Sequence, residues 1–217
     1  MAIEFITFSE SGFTLFLVSI CKELGIDYKL SAPAKLEDIK TPEYLATKHP
    51  FGKVPVLIDD GFQIYESSAI ARYLISKYQK TKTSTILIPT DLQKAALVNQ
   101  FISVGYSYFS DPAKKLISQE FNEKHEGVAK DPEVVKEACE ELNKVFDIYE
   151  KLLEGKDYLA GEFSLADILH STIMQCIVHF GHGDLIENRP NISKWWKNLS
   201  ERECWKSTIA ENKHFST

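Results

Sequence analysis

Every strand-like run in this 217-residue chain lies before Glu66, and the periodic segments that follow are helical. Ile3, Phe5, Ile6 and Phe8 form a short apolar run of good strand formers, ended by Ser9-Glu10-Ser11-Gly12. From Phe13 to Leu24 apolar residues recur at helical spacing, and Gly25 stands where a helix stops. Asp27 to Leu30 is a second strand, followed by a polar stretch through Ala32-Pro33-Ala34 to Lys40. Val54 to Ile58 and Phe62 to Tyr65 flank Asp59-Asp60-Gly61, the signature of an antiparallel hairpin. Ser67 then reads as the N-cap of a helix whose face is Ala69, Ile70, Tyr73, Leu74 and Tyr78. The residues themselves thus read β-α-β-β-β-α, a mixed sheet carrying helices.

The polar, aperiodic segment after Gln79 marks a crossing between domains. The expected boundaries are 1–80 for the first domain, 81–91 for a linker and 92–217 for an all-helical domain. Long apolar stripes support the latter, best kept from Val135 through Leu142, Phe146 and Tyr149 to Leu153. Leu92 to about Ser110 is expected as one helix, broken by Asp111-Pro112. A chain with a formal net charge of −6 and no basic run is not built to neutralise phosphates, so no nucleic acid is expected as partner. No apolar run approaches the ~18 residues of a membrane helix, and the opening Met-Ala-Ile-Glu-Phe-Ile lacks a basic leader. The expected location is therefore cytoplasmic. Cys21, Cys139, Cys176 and Cys204 form no close pairs and read as reduced, buried core thiols.

Three stretches carry chemistry in combination. In His49-Pro50-Phe51-Gly52-Lys53-Val54-Pro55, a proline opening a strand cannot donate to the ladder, and a cis bond there turns the backbone so that Val54 presents its own N–H and C=O. An extended peptide could pair with those groups as one more strand. In Tyr65-Glu66-Ser67-Ser68-Ala69-Ile70, an acid and a hydroxyl stand at the mouth of a helix, where free N–H groups suit a carboxylate and Glu66 suits an ammonium. Finally, Ser164 with Asp167 three residues on is a capping-box arrangement, read as structural. His179 and His182 form a His-x-x-His with no acid or cysteine beside it in sequence, so no metal is expected and a solvated helix end is the reading.

The Pro-Phe-Gly-Lys-Val-Pro and Glu-Ser-Ser-Ala-Ile stretches, with their spacing, resemble the glutathione site of cytosolic glutathione transferases. The likeness extends to Ala160-Gly161-Glu162-Phe163-Ser164-Leu165-Ala166-Asp167 and covers nearly the whole chain. It implies a thioredoxin-like N-terminal domain, β-α-β-α-β-β-α, before the all-helical one, with one helix more than the residue pattern shows. It also implies glutathione as co-substrate, with Val54 pairing its cysteinyl backbone, Glu66 and Ser67 holding the γ-glutamyl end, and Lys40 and Lys53 near the glycyl carboxylate.

Within that family the thiol is activated from the loop after the first strand. No tyrosine precedes Tyr28, and Cys21 lies well inside the helix. Alignment with the serine-using classes, the plant and fungal phi-like group above all, places Ser11 at the catalytic position, with Ser9 two residues earlier at the strand's end. The implied activity is conjugation of the glutathione thiol to apolar electrophiles, with glutathione-dependent peroxidase activity a further possibility within the family. The alternative is a non-enzymatic carrier of glutathione or hydrophobic ligands on the same fold. Phe13, Tyr106 and Phe109 are the expected electrophile-pocket residues, and Phe51 resembles the family's intersubunit key, implying a homodimer.

Overall fold

The computed structural model describes residues 3–9, 11–212 and 215; Glu10, named above in the first loop, lies outside them. The chain divides into two compact units, Met1–Leu87 with Glu203–Thr217, and Ile88–Arg202. The division departs from the expected 92–217 domain, because the last helix belongs to the first unit.

In the first unit, strand β1 (Ile3–Ile6) leads to helix α1 (Gly12–Leu24), and β2 (Tyr28–Ser31) follows. After a 3₁₀ turn at Leu36–Lys40 come α2 (Pro42–Thr47), the hairpin β3 (Val56–Asp59) and β4 (Phe62–Tyr65), and α3 (Ser67–Tyr78). The order is β-α-β-α-β-β-α. Helix α2 escapes periodicity because it has six residues and buries none of them. Local chemistry makes it: the Thr41 hydroxyl accepts from the Tyr44 N–H and Pro42 occupies the first turn. The strands lie in the order β2-β1-β3-β4, with β1 parallel to β2 and antiparallel to β3, and β3 antiparallel to β4. Asp60 and Gly61 both have positive φ (49° and 83°), which a two-residue hairpin turn requires.

Helix α1 buries most of its length. Leu15, Ile20 and Leu24 are almost fully enclosed with Phe5, Leu57, Ile70 and Leu74, and α1 packs against α3. It stops at Gly25, whose φ of 67° lets the Ile26 N–H turn back to the Cys21 carbonyl at 2.8 Å. Helix α10 (Glu203–Glu211) also packs against α1. Lys22 holds it through Glu211 (2.8 Å) and Ser207 (2.6 Å), and Trp205 is buried.

The second unit is helical: α4 (Leu92–Val104), α5 (Ser110–Phe121), α6 (Pro132–Leu152), α7 (Leu165–His179), α8 (Asp184–Glu187) and α9 (Pro190–Ser200). The expected break at Asp111-Pro112 does not occur. A wide π-helical turn, Gly105–Phe109, carries α4 directly into α5, and Pro112 comes just after it, where the altered bonding register absorbs a missing donor. The core gathers Phe109, Phe146, Tyr149, His170 and Trp195, all nearly inaccessible. At the start of α7, Asp167 is fully enclosed and accepts from the Ser164 N–H (2.9 Å), Ser164 Oγ (3.0 Å), Leu159 N–H (3.1 Å) and Trp195 Nε1 (2.9 Å). Burial pushes its carboxyl up to about 6, while those four donors oppose the rise. It is a structural pin, as the capping-box spacing indicated.

Candidate active site

The sheet topology collects the sequence-predicted residues at one end. Ile6 at the end of β1 pairs with Val56 at the start of β3, and Val56 also pairs with Tyr65 at the end of β4. The loop after β1, the Val54–Pro55 entry to β3 and the Glu66–Ser67 exit from β4 therefore leave the sheet together. Ser31, at the end of parallel β2, pairs with Ile6, so the segment leading to Lys40 starts from the same edge.

Ser11 immediately precedes α1 with an extended backbone (φ −68°, ψ 129°). Its carbonyl accepts from the Thr14 and Leu15 N–H groups (2.9 and 3.3 Å), but its side chain makes no capping bond. A serine whose only task was to cap would spend its hydroxyl on those N–H groups. The loop is braced by residues that sequence reasoning passed over. Thr14, buried, donates to the Phe8 carbonyl at 2.7 Å and lies 2.7 Å from the Thr7 hydroxyl; the Asn212 side-chain amide donates to the Ser9 carbonyl at 2.7 Å. No pattern near Asn212 announces that role, because it depends on α10 folding back onto α1.

The Val54–Pro55 bond is cis, as the strand-opening proline suggested. The paired ladder begins at Val56, so Val54 stands outside it. Before it, Gly52 has a φ of 58°, and a Cβ there would meet the Ile39 carbonyl oxygen at 2.7 Å; only glycine fits. Lys40 donates to the Gly52 carbonyl (2.6 Å) and the Tyr44 hydroxyl donates to the Lys53 carbonyl (2.9 Å), which ties both lysine-bearing segments together.

Glu66, not Ser67, flanks the start of α3; Ser67 is its first residue and is buried. Glu66 has φ 71°, ψ 112° and makes no side-chain capping bond. For a residue with a Cβ such a backbone costs on the order of 1 kcal/mol, and it leaves the carboxylate exposed over the helix mouth. His49 lies beneath, almost wholly enclosed. It packs in a tilted arrangement against Tyr65 at 4.4 Å between ring centres, accepts from the Phe51 N–H at Nδ1 (3.3 Å), and points Nε2 toward Glu66 at 3.8 Å. Burial lowers the imidazole's proton affinity more than Glu66 raises it.

The aromatic candidates divide. Phe13, in the first turn of α1, is 45% exposed, and Tyr106 is 38% exposed. Phe109 is fully buried, stacked on His170 at 5.2 Å and edge-on to Phe146 at 5.6 Å, so it is a core residue and not a pocket residue. The π-helical turn is the reason, since its wider pitch breaks the i, i+3 spacing that would put Tyr106 and Phe109 on one face. Phe51 is 70% exposed.

The glutathione S-transferase C-terminal domain matches residues 94–203, and the glutathione S-transferase N-terminal domain matches 17–82. Glutathione S-transferase F14 of Arabidopsis thaliana is 34% identical over 88% of this chain and 77% of its own length. Glutathione S-transferase hmp2 of Hypomyces subiculosus is 38% identical over 88% and 89%. Among solved structures, glutathione S-transferase I bound with lactoylglutathione superposes with a TM-score of 0.88 at 28% identity, covering 97% of this chain and 99% of that one. With both domains matched and plant and fungal relatives spanning most of its length, this chain belongs to the glutathione S-transferase family.

Proposed function

We propose that this protein joins the sulfur of glutathione to apolar electrophiles, with Ser11 donating a hydrogen bond to the thiolate. The observation that carries the reading is the convergence, at one end of the sheet, of a serine hydroxyl not spent on capping, a valine outside the ladder before a cis proline, and an acid held over a helix N-terminus.

Each group has a chemical task. Val54 pairs with the cysteinyl backbone of glutathione. Glu66 takes the ammonium of the γ-glutamyl end while Ser67 and the α3 N–H groups take its carboxylate. Lys40 and Lys53 attract the glycyl carboxylate. The thiol is the nucleophile only as thiolate, and lowering its pKa by two units requires about 2.7 kcal/mol of preference for the anion. A hydrogen bond to a charged group supplies roughly 1.5–3 kcal/mol and a helix N-terminus roughly 0.3–1 kcal/mol. Ser11 at the head of α1 combines both. With an aryl halide, the S–C bond forms as halide leaves and the thiol proton passes to solvent.

We also infer that two copies associate through Phe51, whose exposed ring on the loop before β3 is suited to a pocket on a second copy. Retention on immobilised glutathione, followed by turnover of a chromogenic aryl halide, tests the function. Retention without turnover would favour a carrier of the same fold.

A further inference from the structure

A second chemical constellation stands in the helical unit, built from three elements. Cys139 on α6 is partly exposed, and its Sγ lies 3.9 Å from His182 Nδ1, in the turn between α7 and α8. The other ring nitrogen, Nε2, is 2.9 Å from Glu120 Oε1 on α5. Glu120 is almost fully enclosed, and Lys130 donates to both its oxygens (3.1 and 2.9 Å). The reading of His182 as part of a solvated helix end is therefore corrected: its partners lie far away in sequence, where no local motif could show them.

The direction of the bonds follows from Glu120. Burial opposes its ionisation, but the bonds from His182 and Lys130 outweigh that and hold its carboxyl below the usual range. A carboxylate can only accept, so in the neutral ring Nε2 carries the proton and Nδ1 turns its lone pair to the Cys139 thiol. Nucleophile, base and orienting acid stand in series, the arrangement that activates weak nucleophiles. Cys139 differs in this from Cys21, fully buried in α1, and from Cys176, whose thiol burial pushes up to about 12.

We propose that Cys139 is a covalent capture site for neutral α,β-unsaturated carbonyl compounds, with His182 as base and Glu120 as the residue that positions it. The Sγ adds to the β-carbon as its proton passes to His182 Nδ1; the carbon–carbon π pair moves toward the carbonyl as an enolate, and the proton returns to the α-carbon. One S–C bond and one C–H bond form, one S–H and one C=C π bond are lost, and nothing is oxidised or expelled. The charges around the thiol choose the class. Glu120 on α5 and Asp184 at the head of α8 face it, and Glu123 and Lys130 complete the ion-pair cluster behind. Partial burial, and after it the acidic neighbours Asp184 and Glu120, push the thiol up and keep it protonated at rest, which disfavours anionic disulfides and suits an acceptor that takes up both sulfur and proton.

The test is timed labelling of the native protein with N-ethylmaleimide, an uncharged conjugated carbonyl, with the adduct at each cysteine quantified by mass spectrometry. Cys139 should label faster than Cys204, and His182→Ala should lower its rate by about 10²-fold, the low end for a removed general base, while Glu120→Gln lowers it less. Buried Cys21 reports on folding: if it labels too, the variant has opened, and the wild-type pH profile decides. Base assistance predicts a Cys139 rate that rises by clearly less than tenfold per pH unit between about pH 6 and 9, because a side-chain base and not hydroxide takes the proton; a steady tenfold rise per pH unit across that range would overturn the proposal. So would wild-type Cys139 labelling no faster than Cys204, or an unchanged rate in His182→Ala with Cys21 unlabelled.

Discussion

Replacing Ser11 with alanine separates chemistry from folding, because the structure gives its hydroxyl no part in capping α1. A true N-cap loses roughly 0.5–2 kcal/mol on such a change. Here the unfolding midpoint should move by no more than ~0.5 kcal/mol, the figure for a site without such a feature. The bound thiol should respond strongly. Losing a charge-assisted bond of roughly 1.5–3 kcal/mol raises its pKa by about one to two units, so turnover near neutrality falls up to ~10²-fold while glutathione affinity stays within a factor of a few. Thiolate absorbance of the complex against pH reads the pKa directly. Ser9→Ala is the control, since Ser9 is exposed and is held through its carbonyl by Asn212. If Ser9→Ala raised the pKa and Ser11→Ala did not, the assignment of the first loop would be refuted; if neither did, activation would rest on the backbone and helix end.

Glu66→Ala should weaken glutathione binding by roughly 1.5–3 kcal/mol, the worth of a hydrogen bond to a charged group; calorimetry on the folded variant giving unchanged affinity would remove Glu66 from the site. Phe51→Ser should shift the protein toward monomer at micromolar concentration, since a buried aromatic anchor dominates such contacts, and sedimentation showing one dimeric species at every dilution would return the ring to its own subunit. Asp167→Ala strands four donors in an enclosed position, each costing about 1–3 kcal/mol when buried unpaired. Urea unfolding should show a loss of at least ~3 kcal/mol, and a loss below ~1 kcal/mol would mean the pin contributes little.

Local patterns were legible where local chemistry decides the outcome. The hairpin ending at Tyr65, the stop at Gly25 and the Ser164–Asp167 box depend on residues a few positions apart, and all three appear, the first hairpin strand running Val56–Asp59 where Val54 to Ile58 was expected. Helix α2 was hidden because one and a half turns with no buried side chain leave no periodicity. Ser67 looked like a cap, but the cap position falls to Glu66 because the ladder runs to Tyr65 and the helix must start at once. Phe109 was expected in the pocket as one of the aromatics at the end of α4, but it lies in the core beyond a π-helical turn that no local pattern shows. Cys139, His182 and Glu120 are separated by 43 and 62 positions and meet only through helix packing. The Ser11 loop was singled out through resemblance, but Thr14 and Asn212, which brace it, were not, since one acts within the fold of the loop and the other arrives from the far end of the chain.

That last contact bears on synthesis. The first unit is discontinuous: α10, which packs against α1, and Asn212 just beyond it, which tethers the Ser9 carbonyl, are made only after all of 88–202. At about 5–20 residues per second, β1 to α3 wait on the order of ten seconds on the ribosome before their closing helix exists. During that interval the part of α1 that α10 later packs against is open to water and to other chains. The second unit is one continuous stretch, so it can be complete while the first still waits for its last helix.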